Sequence, residues 1–354
     1  MHMADALLSP AIGATLWGAS AGTLAWCSKR LHNNDSRDHL VPLMGVLGAF
    51  IFAAQMINFT IPGTGSSGHI GGGMLLSILL GGPAAFVVIS SVLTMQALFF
   101  ADGGLLALGA NIFNLGIFPC FIAYPLIYRP LVKAAGVTAS KSRLALITVL
   151  ATVMGLQLGA LGVVTETQMS GISSLPLSTF LLLMQPIHLA IGLVEGLATA
   201  ALIAFIREAR PDLVDGAHAS FDRIPGIFPT RIIAILASLA LVTGGLLSWF
   251  ASANPDGLEW SIEKVTGKPE VDTEDAVHQA FAQFQKRIAP MPDYKFAQPE
   301  QSAAEQPGES KPEEAWPAID VGTSTAGVVG GLGTLLLVTV IGYLLRPRRA
   351  RATE

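Results

Sequence analysis

A chain that opens Met1-His2-Met3 carries a candidate metal chelator in its first two residues. The free amine of Met1, the backbone nitrogen of His2 and the His2 imidazole Nδ1 can close two fused chelate rings on one ion. A planar nitrogen set suits Ni(II) and Cu(II), and by extension Co(II), better than Zn(II) or Ca(II). A terminal His is ordinarily a frayed residue, so other residues must argue for a site. His69 does so from the loop Gly63-Thr64-Gly65-Ser66-Ser67-Gly68-His69-Ile70-Gly71-Gly72-Gly73. From there it could add a fourth nitrogen. Its plain alternative is a hydrogen-bonded loop His, and pairing with His2 favours the ligand.

Four more polar residues, Gln96, Asp102, Asn111 and Asn114, are dense at the ends of two apolar runs. Such groups are costly near a membrane unless they find partners. They are candidates to orient His69 from behind, with helix capping as the alternative. His188 and Glu195 stand seven apart on one helix face, where a structural role inside the bundle outweighs metal ligation. Cys27 and Cys120 lie in apolar runs and read as small packing residues. No phosphate-binding Gly-x-x-x-x-Gly-Lys and no His-Glu-x-x-His is present.

The elements that must position these residues are membrane helices. Of 354 residues, 51% are hydrophobic and 13% charged, and the net charge is −4. Soluble domains carry about 25% charged residues. The chain is therefore read as an all-α, polytopic helical bundle in lipid, and its charge gives no reason to expect nucleic acid.

Apolar segments fall near 7–27, 41–59, 70–81, 84–100, 109–128, 143–164, 179–206, 231–251 and 323–345. The third is too short to cross and reads as a broken helix inside the bundle. Small residues Ala14, Gly18 and Gly22 mark the first as a close-packing helix. Fifteen of the 21 Lys and Arg fall in connections on one side, among them Lys29, Arg30, Arg129, Lys133, Arg207 and the Arg346–Arg351 tail. The opposite short loops 60–69, 101–108 and 165–178 hold none. By the positive-inside rule, the N-terminus, the His69 loop and residues 252–322 face outward. The C-terminus is expected to be cytoplasmic. Residues 1–8 lack the basic stretch of a signal peptide, so Met1-His2 is expected to remain the terminus.

Composition divides the chain into a membrane domain (1–210), a cytoplasmic linker (211–230) and an accessory module (231–354). In the module, 252–322 is a polar loop. It has a turn at Asn254-Pro255-Asp256-Gly257, a short helical pattern over Leu258–Glu263 and a flexible Pro/Glu-rich linker at 298–318. The carboxylates of Glu259 and Glu263 read as a solvated acidic surface.

Three stretches carry a family resemblance: Met1-His2-Met3-Ala4-Asp5-Ala6-Leu7-Leu8-Ser9-Pro10, Ser67-Gly68-His69, and Gln96 through Asp102-Gly103-Gly104 to Asn111-Ile112-Phe113-Asn114. Over about residues 1–210 the chain resembles the nickel/cobalt substrate-binding membrane subunits (S-components) of energy-coupling factor ABC transporters, the CbiM/NikM family. Pro255-Asp256-Gly257-Leu258-Glu259 resembles the Pro-Asp-Gly-Leu-Glu module of the small accessory subunit (NikN/CbiN type), here fused behind its own helix and followed by a second.

The resemblance implies an S-component-like bundle with two extra C-terminal helices. It implies an ion, nickel or cobalt as transported substrate, held by the terminal amine of Met1, the amide nitrogen and imidazole of His2, and His69. The implied partners are a transmembrane coupling subunit and a pair of cytoplasmic ATPases, with lipid around the helices, so the chain itself is not expected to be an enzyme. Ligation requires neutral imidazoles and a deprotonated amide, so binding should weaken as pH falls. The rival reading is an ion-coupled carrier or channel for divalent metal, which would transport without an ATPase. Residue types do not separate nickel from cobalt.

Overall fold

The computed structural model describes residues 2–33, 40–136, 139–173, 175–209, 230–269, 271, 275–296 and 316–345. Met1, most of the 211–230 linker, most of the Pro/Glu-rich stretch and the basic tail lie outside the described residues.

The architecture is a helical bundle. Its helices are α1 (Pro10–His32), α2 (Val41–Gln55), α3 (Gly73–Leu80), α4 (Gly82–Phe100), α5 (Leu108–Ala135), α6 (Lys141–Ser170), α7 (Leu177–Ala209), α8 (Thr230–Gly245), α9 (Gly257–Thr266), α10 (Ala276–Ile288) and α11 (Val321–Leu344). Among the described residues, α4, α5, α6, α7 and α11 are long and apolar enough to cross a membrane, and α2 and α8 are shorter apolar helices. In α5 the backbone widens to π winding over Phe113–Tyr128, a stretch holding Pro119 and Pro125. Proline removes a helical donor, which loosens the i→i−4 ladder.

The expected broken third helix is α3, eight residues long and buried throughout. It starts later than the apolar run because Gly71 and Gly72 stay non-helical. Both oxygens of Glu195 on α7 accept their N–H groups, at 2.7 Å and 2.9 Å. Gln55 at the end of α2 donates to the Gly71 carbonyl at 2.8 Å. Buried backbone polar groups need such partners where no helix supplies them.

Two expectations need correction. The second segment does not run to residue 59. It ends at Gln55, and the chain then forms an antiparallel hairpin, β1 (Phe59–Ile61) with β2 (Ser66–Gly68), in the register Phe59↔Gly68. The accessory stretch also holds more helix than the short pattern over Leu258–Glu263 implied: that pattern forms α9, with Glu259 exposed as read, and α10 follows it. Asp256 caps α9 through a reciprocal capping box with Glu259, and Leu258 and Ile262 are buried against the bundle. Asp275 caps α10 by accepting from Val277 and His278.

The C-terminal helices α8 and α11 pack on α2 and on each other. A Cβ built at Gly327 would lie 2.1 Å from the Gly244 carbonyl oxygen, so only glycine permits this approach.

Candidate metal centre

The N-terminal segment folds back into one end of the bundle. Met3 is fully buried. Its N–H donates to Asn111 Oδ1 at 2.7 Å, and its carbonyl accepts from Gly104 N at 2.9 Å and Asn111 Nδ2 at 3.3 Å. Asp5 Oδ1 accepts from Ala107 N at 2.9 Å. Gly103 and Gly104 make room for this hook. A side chain at Gly104 would collide with the Asp5 carboxylate, and Gly103 has φ 79°, a conformation that favours glycine. Leu7 and Leu8 are buried, and Ser9 with Pro10 starts α1.

This hook sets the His2 ring over His69. Their centroids are 5.0 Å apart and their planes 16° from parallel. His69 follows β2 directly, and its loop is held on the other side by Glu195 and Gln55. His69 Nδ1 lies 3.0 Å from the Ile70 carbonyl. A carbonyl can only accept, so the proton sits on Nδ1 and the Nε2 lone pair is bare. Burial, helped by the His2 imidazole, lowers the His69 pKa to about 3, so the ring is neutral at any physiological pH. Nε2 of His2 and Nε2 of His69 are both buried without a hydrogen-bond partner. Orphaned buried nitrogens of this kind fit an ion as the missing partner.

His2 Nδ1, the atom expected to be free for chelation, is bound instead. It lies 2.9 Å from Asp102 Oδ1. The other carboxylate oxygen, Oδ2, accepts from the Tyr294 hydroxyl at 2.5 Å. Burial opposes ionisation of Asp102, but His2 and Tyr294 hold its carboxyl well below the usual carboxylate range. Burial and the Asp102 charge push Tyr294 well above its ordinary value, so it keeps its proton and donates. Chelation through Nδ1 therefore requires His2 to exchange Asp102 for the ion.

The four polar residues read as orienting His69 act elsewhere. Asp102 holds His2. Asn111 clamps the Met3 backbone. Asn114 donates to Glu166 at 2.7 Å and lies 4.0 Å from the Met3 sulfur. Gln96 is fully buried with neither amide atom hydrogen-bonded. Three of the four thus serve the N-terminal hook, because the turn after α4 and the start of α5 pack on that hook. His188 Nδ1 lies 2.8 Å from the Met184 carbonyl, and its ring lines a small void with His69 and Asp256. Among the described residues no three His, Cys, Asp or Glu side chains gather at metal-holding geometry, so two imidazoles need backbone or terminal nitrogens to complete a donor set.

The accessory module closes over this end. Ser67 N donates to the Pro255 carbonyl at 2.8 Å, Trp260 Nε1 to the Thr64 carbonyl at 3.0 Å, and Ser252 N to the Asn58 carbonyl at 2.7 Å. From α10, Gln285 Nε2 donates to the Ala97 and Gly103 carbonyls, and His278 Nε2 lies 2.8 Å from the Leu8 carbonyl. Between module and bundle is a cavity of about 540 Å³ that reaches His2 and His69. Its lining includes Asp5, Asp102, Asp256, Glu259 and Asp293 and, among the described residues, no Lys or Arg, an environment that attracts a dication. The sequence signalled Asp256 only as part of a turn and of the Pro-Asp-Gly-Leu-Glu resemblance. Gln285 and Tyr294 carried no signal, since their partners lie about 180 to 190 residues away.

Residues 2–213 match the family model described as the cobalt uptake substrate-specific transmembrane region, CbiM. The chain belongs to the CbiM family. Residues 230–347 match the PDGLE domain. A putative fused nickel transport protein NikMN of Archaeoglobus fulgidus is 35% identical over 240 residues, which is 68% of this chain and 75% of that protein. The fused nickel transport protein NikMN of Rhodobacter capsulatus is 30% identical, covering 76% and 78% respectively. The cobalt transport protein CbiM of Sorangium cellulosum is 31% identical over 61% of this chain and 95% of its own length. A crystal structure of a truncated transition metal transporter superposes with a TM-score of 0.51 at 29% identity, covering 59% of this chain and 99% of that one. This CbiM-family chain with its PDGLE domain is thus a nickel/cobalt transport component of the CbiM/NikM type, a multi-pass membrane protein.

Proposed function

We propose that this chain is the substrate-binding subunit of an energy-coupling factor ABC transporter that imports Ni(II) or Co(II). The ion is captured by the Met1 amine, the amide nitrogen and Nδ1 of His2, and His69. The observation that carries this reading is the His2 ring hooked into the bundle and stacked on His69, whose own Nε2 is buried without a partner. The N-terminal hook that the chelate needs supports it. The hooked end faces outward and the basic connections face the cytoplasm, where the coupling subunit and ATPase pair engage. The 1–210, 211–230 and 231–354 division then separates binding domain, linker and accessory module.

The test is to add one residue before Met1 and titrate the purified, folded variant with Ni(II). The chelate reading expects binding to be lost, and affinity equal to that of the unextended chain would sink it. Metal uptake by the isolated chain in liposomes without ATPase would establish the carrier reading instead.

A further inference from the structure

We infer that Tyr294 is a positioning residue for metal capture, through which the accessory module acts on His2 by way of Asp102. The inference rests on the reading of His2 as a ligand.

Tyr294 stands in a fixed place. Its ring stacks on Phe100 with centroids 4.8 Å apart and 13° between planes, and it tilts against Phe52 at 6.3 Å. The backbone around it is tied down, with Met291 N donating to the Phe99 carbonyl at 3.1 Å. Gln285, nine residues earlier, grips the Gly103 carbonyl at 2.7 Å, next to Asp102. The hydroxyl is therefore presented rigidly to Asp102 Oδ2, while Oδ1 takes His2 Nδ1.

A chelate through Nδ1 takes His2 away from Asp102. The carboxylate, a quarter exposed where it lines the cavity, has then lost one donor. An acceptor that loses a donor in a partly desolvated place bears part of its desolvation penalty. Tyr294 prevents that loss from being complete, because it keeps donating to Oδ2 in the loaded state. The hydroxyl thus stabilises the metal-bound state more than the metal-free state, in which Asp102 has two donors. The chemistry recognised is the carboxylate left behind by its imidazole, and the device belongs to the module rather than to the bundle.

The experiment is a double-mutant cycle on the full chain, read by Ni(II) calorimetry, with thermal unfolding of each metal-free variant as a control. Tyr294→Phe keeps the ring stacking and removes only the hydroxyl. We expect it to weaken Ni(II) binding about tenfold, the scale of a hydrogen bond to a charged group, beyond the fall in metal-free unfolding temperature that the lost bond itself brings. In an Asp102→Asn background the same substitution should change affinity less than twofold. An equal loss in both backgrounds would show Tyr294 to be merely structural and overturn the inference. So would unchanged affinity in Tyr294→Phe. If Tyr294→Phe does not fold, Tyr294→Trp, which retains a stacking ring, is put through the same cycle and judged by the same two outcomes. His2→Ala separates the premises: if it leaves Ni(II) affinity intact, the ligand reading fails. If it abolishes binding while the cycle shows no coupling, only the role of Tyr294 fails.

Discussion

Glu195→Gln isolates the part of the site furthest from the ion. Glu195 is 1% exposed, and its two oxygens accept the N–H groups of Gly71 and Gly72 at 2.7 Å and 2.9 Å. These amides stand two and three residues after His69. Glutamine preserves the shape but supplies one acceptor where there were two. One amide is left facing an NH₂ group, donor against donor. Leaving one buried donor unsatisfied costs about 1–3 kcal/mol. The loop is otherwise held at this point by Gln55 on the Gly71 carbonyl, so the strain relaxes toward His69. If all of it falls on the loaded state, Ni(II) affinity drops by about 5- to 150-fold, taking 1.4 kcal/mol per decade. Calorimetry on the purified chain measures this, and thermal unfolding shows whether the bundle survives. The loss should vanish in a His69→Ala background, where the ligand being positioned is absent. A folded Glu195→Gln variant that binds Ni(II) within twofold of the parent chain refutes the positioning argument.

Other substitutions separate the remaining contributions. His69→Ala should weaken Ni(II) binding more than His188→Ala, because His188 makes its hydrogen bond within α7. The reverse order, measured by calorimetry, would move the site into the bundle. Asn111→Ala removes both side-chain contacts to the Met3 backbone and should lower affinity by up to about thirtyfold, on about 1 kcal/mol per hydrogen bond, with protease cleavage near the N-terminus appearing as the hook frays. Gly327→Val should loosen α8 from α11 and lower the unfolding temperature, since overpacking costs about 1–3 kcal/mol, while Ni(II) affinity of the folded fraction is unchanged. The metal-free chain should lose stability on acidification. The folded-state pKa of His69 lies below its ordinary value, at about 3, so the unfolded chain binds the extra proton. Its contribution is full above the ordinary His pKa of ~6.5 and is lost as pH falls from there toward 3. Denaturant titrations across that range should show a shallower decline in His69→Ala.

Membrane class, the apolar helices of the bundle and the short third helix were legible in the chain, because each follows from local quantities. Runs of apolar residues, the spacing of Lys and Arg, and Gly-Gly-Gly beside a run too short to cross need no knowledge of the fold. The pairing of His2 with His69 was legible for a similar reason, since both fall on the same side when charges are counted.

The tertiary structure decided the rest. The direction in which His2 points depends on Asp102, 100 residues on, and Asp102 depends on Tyr294, 192 residues further. The polar residues at 102, 111 and 114 could be recognised as needing partners, but which partner each would take was set by the packing of α4 and α5 on the N-terminal hook. Glu259 was read as solvated and is exposed, yet the module carrying it closes over the site through backbone bonds to the hairpin. Hydrogen bonds between distant segments leave no periodic trace in a sequence. They exist because folding brings a donor to an acceptor, and here they decide how the N-terminal end of the chain is held.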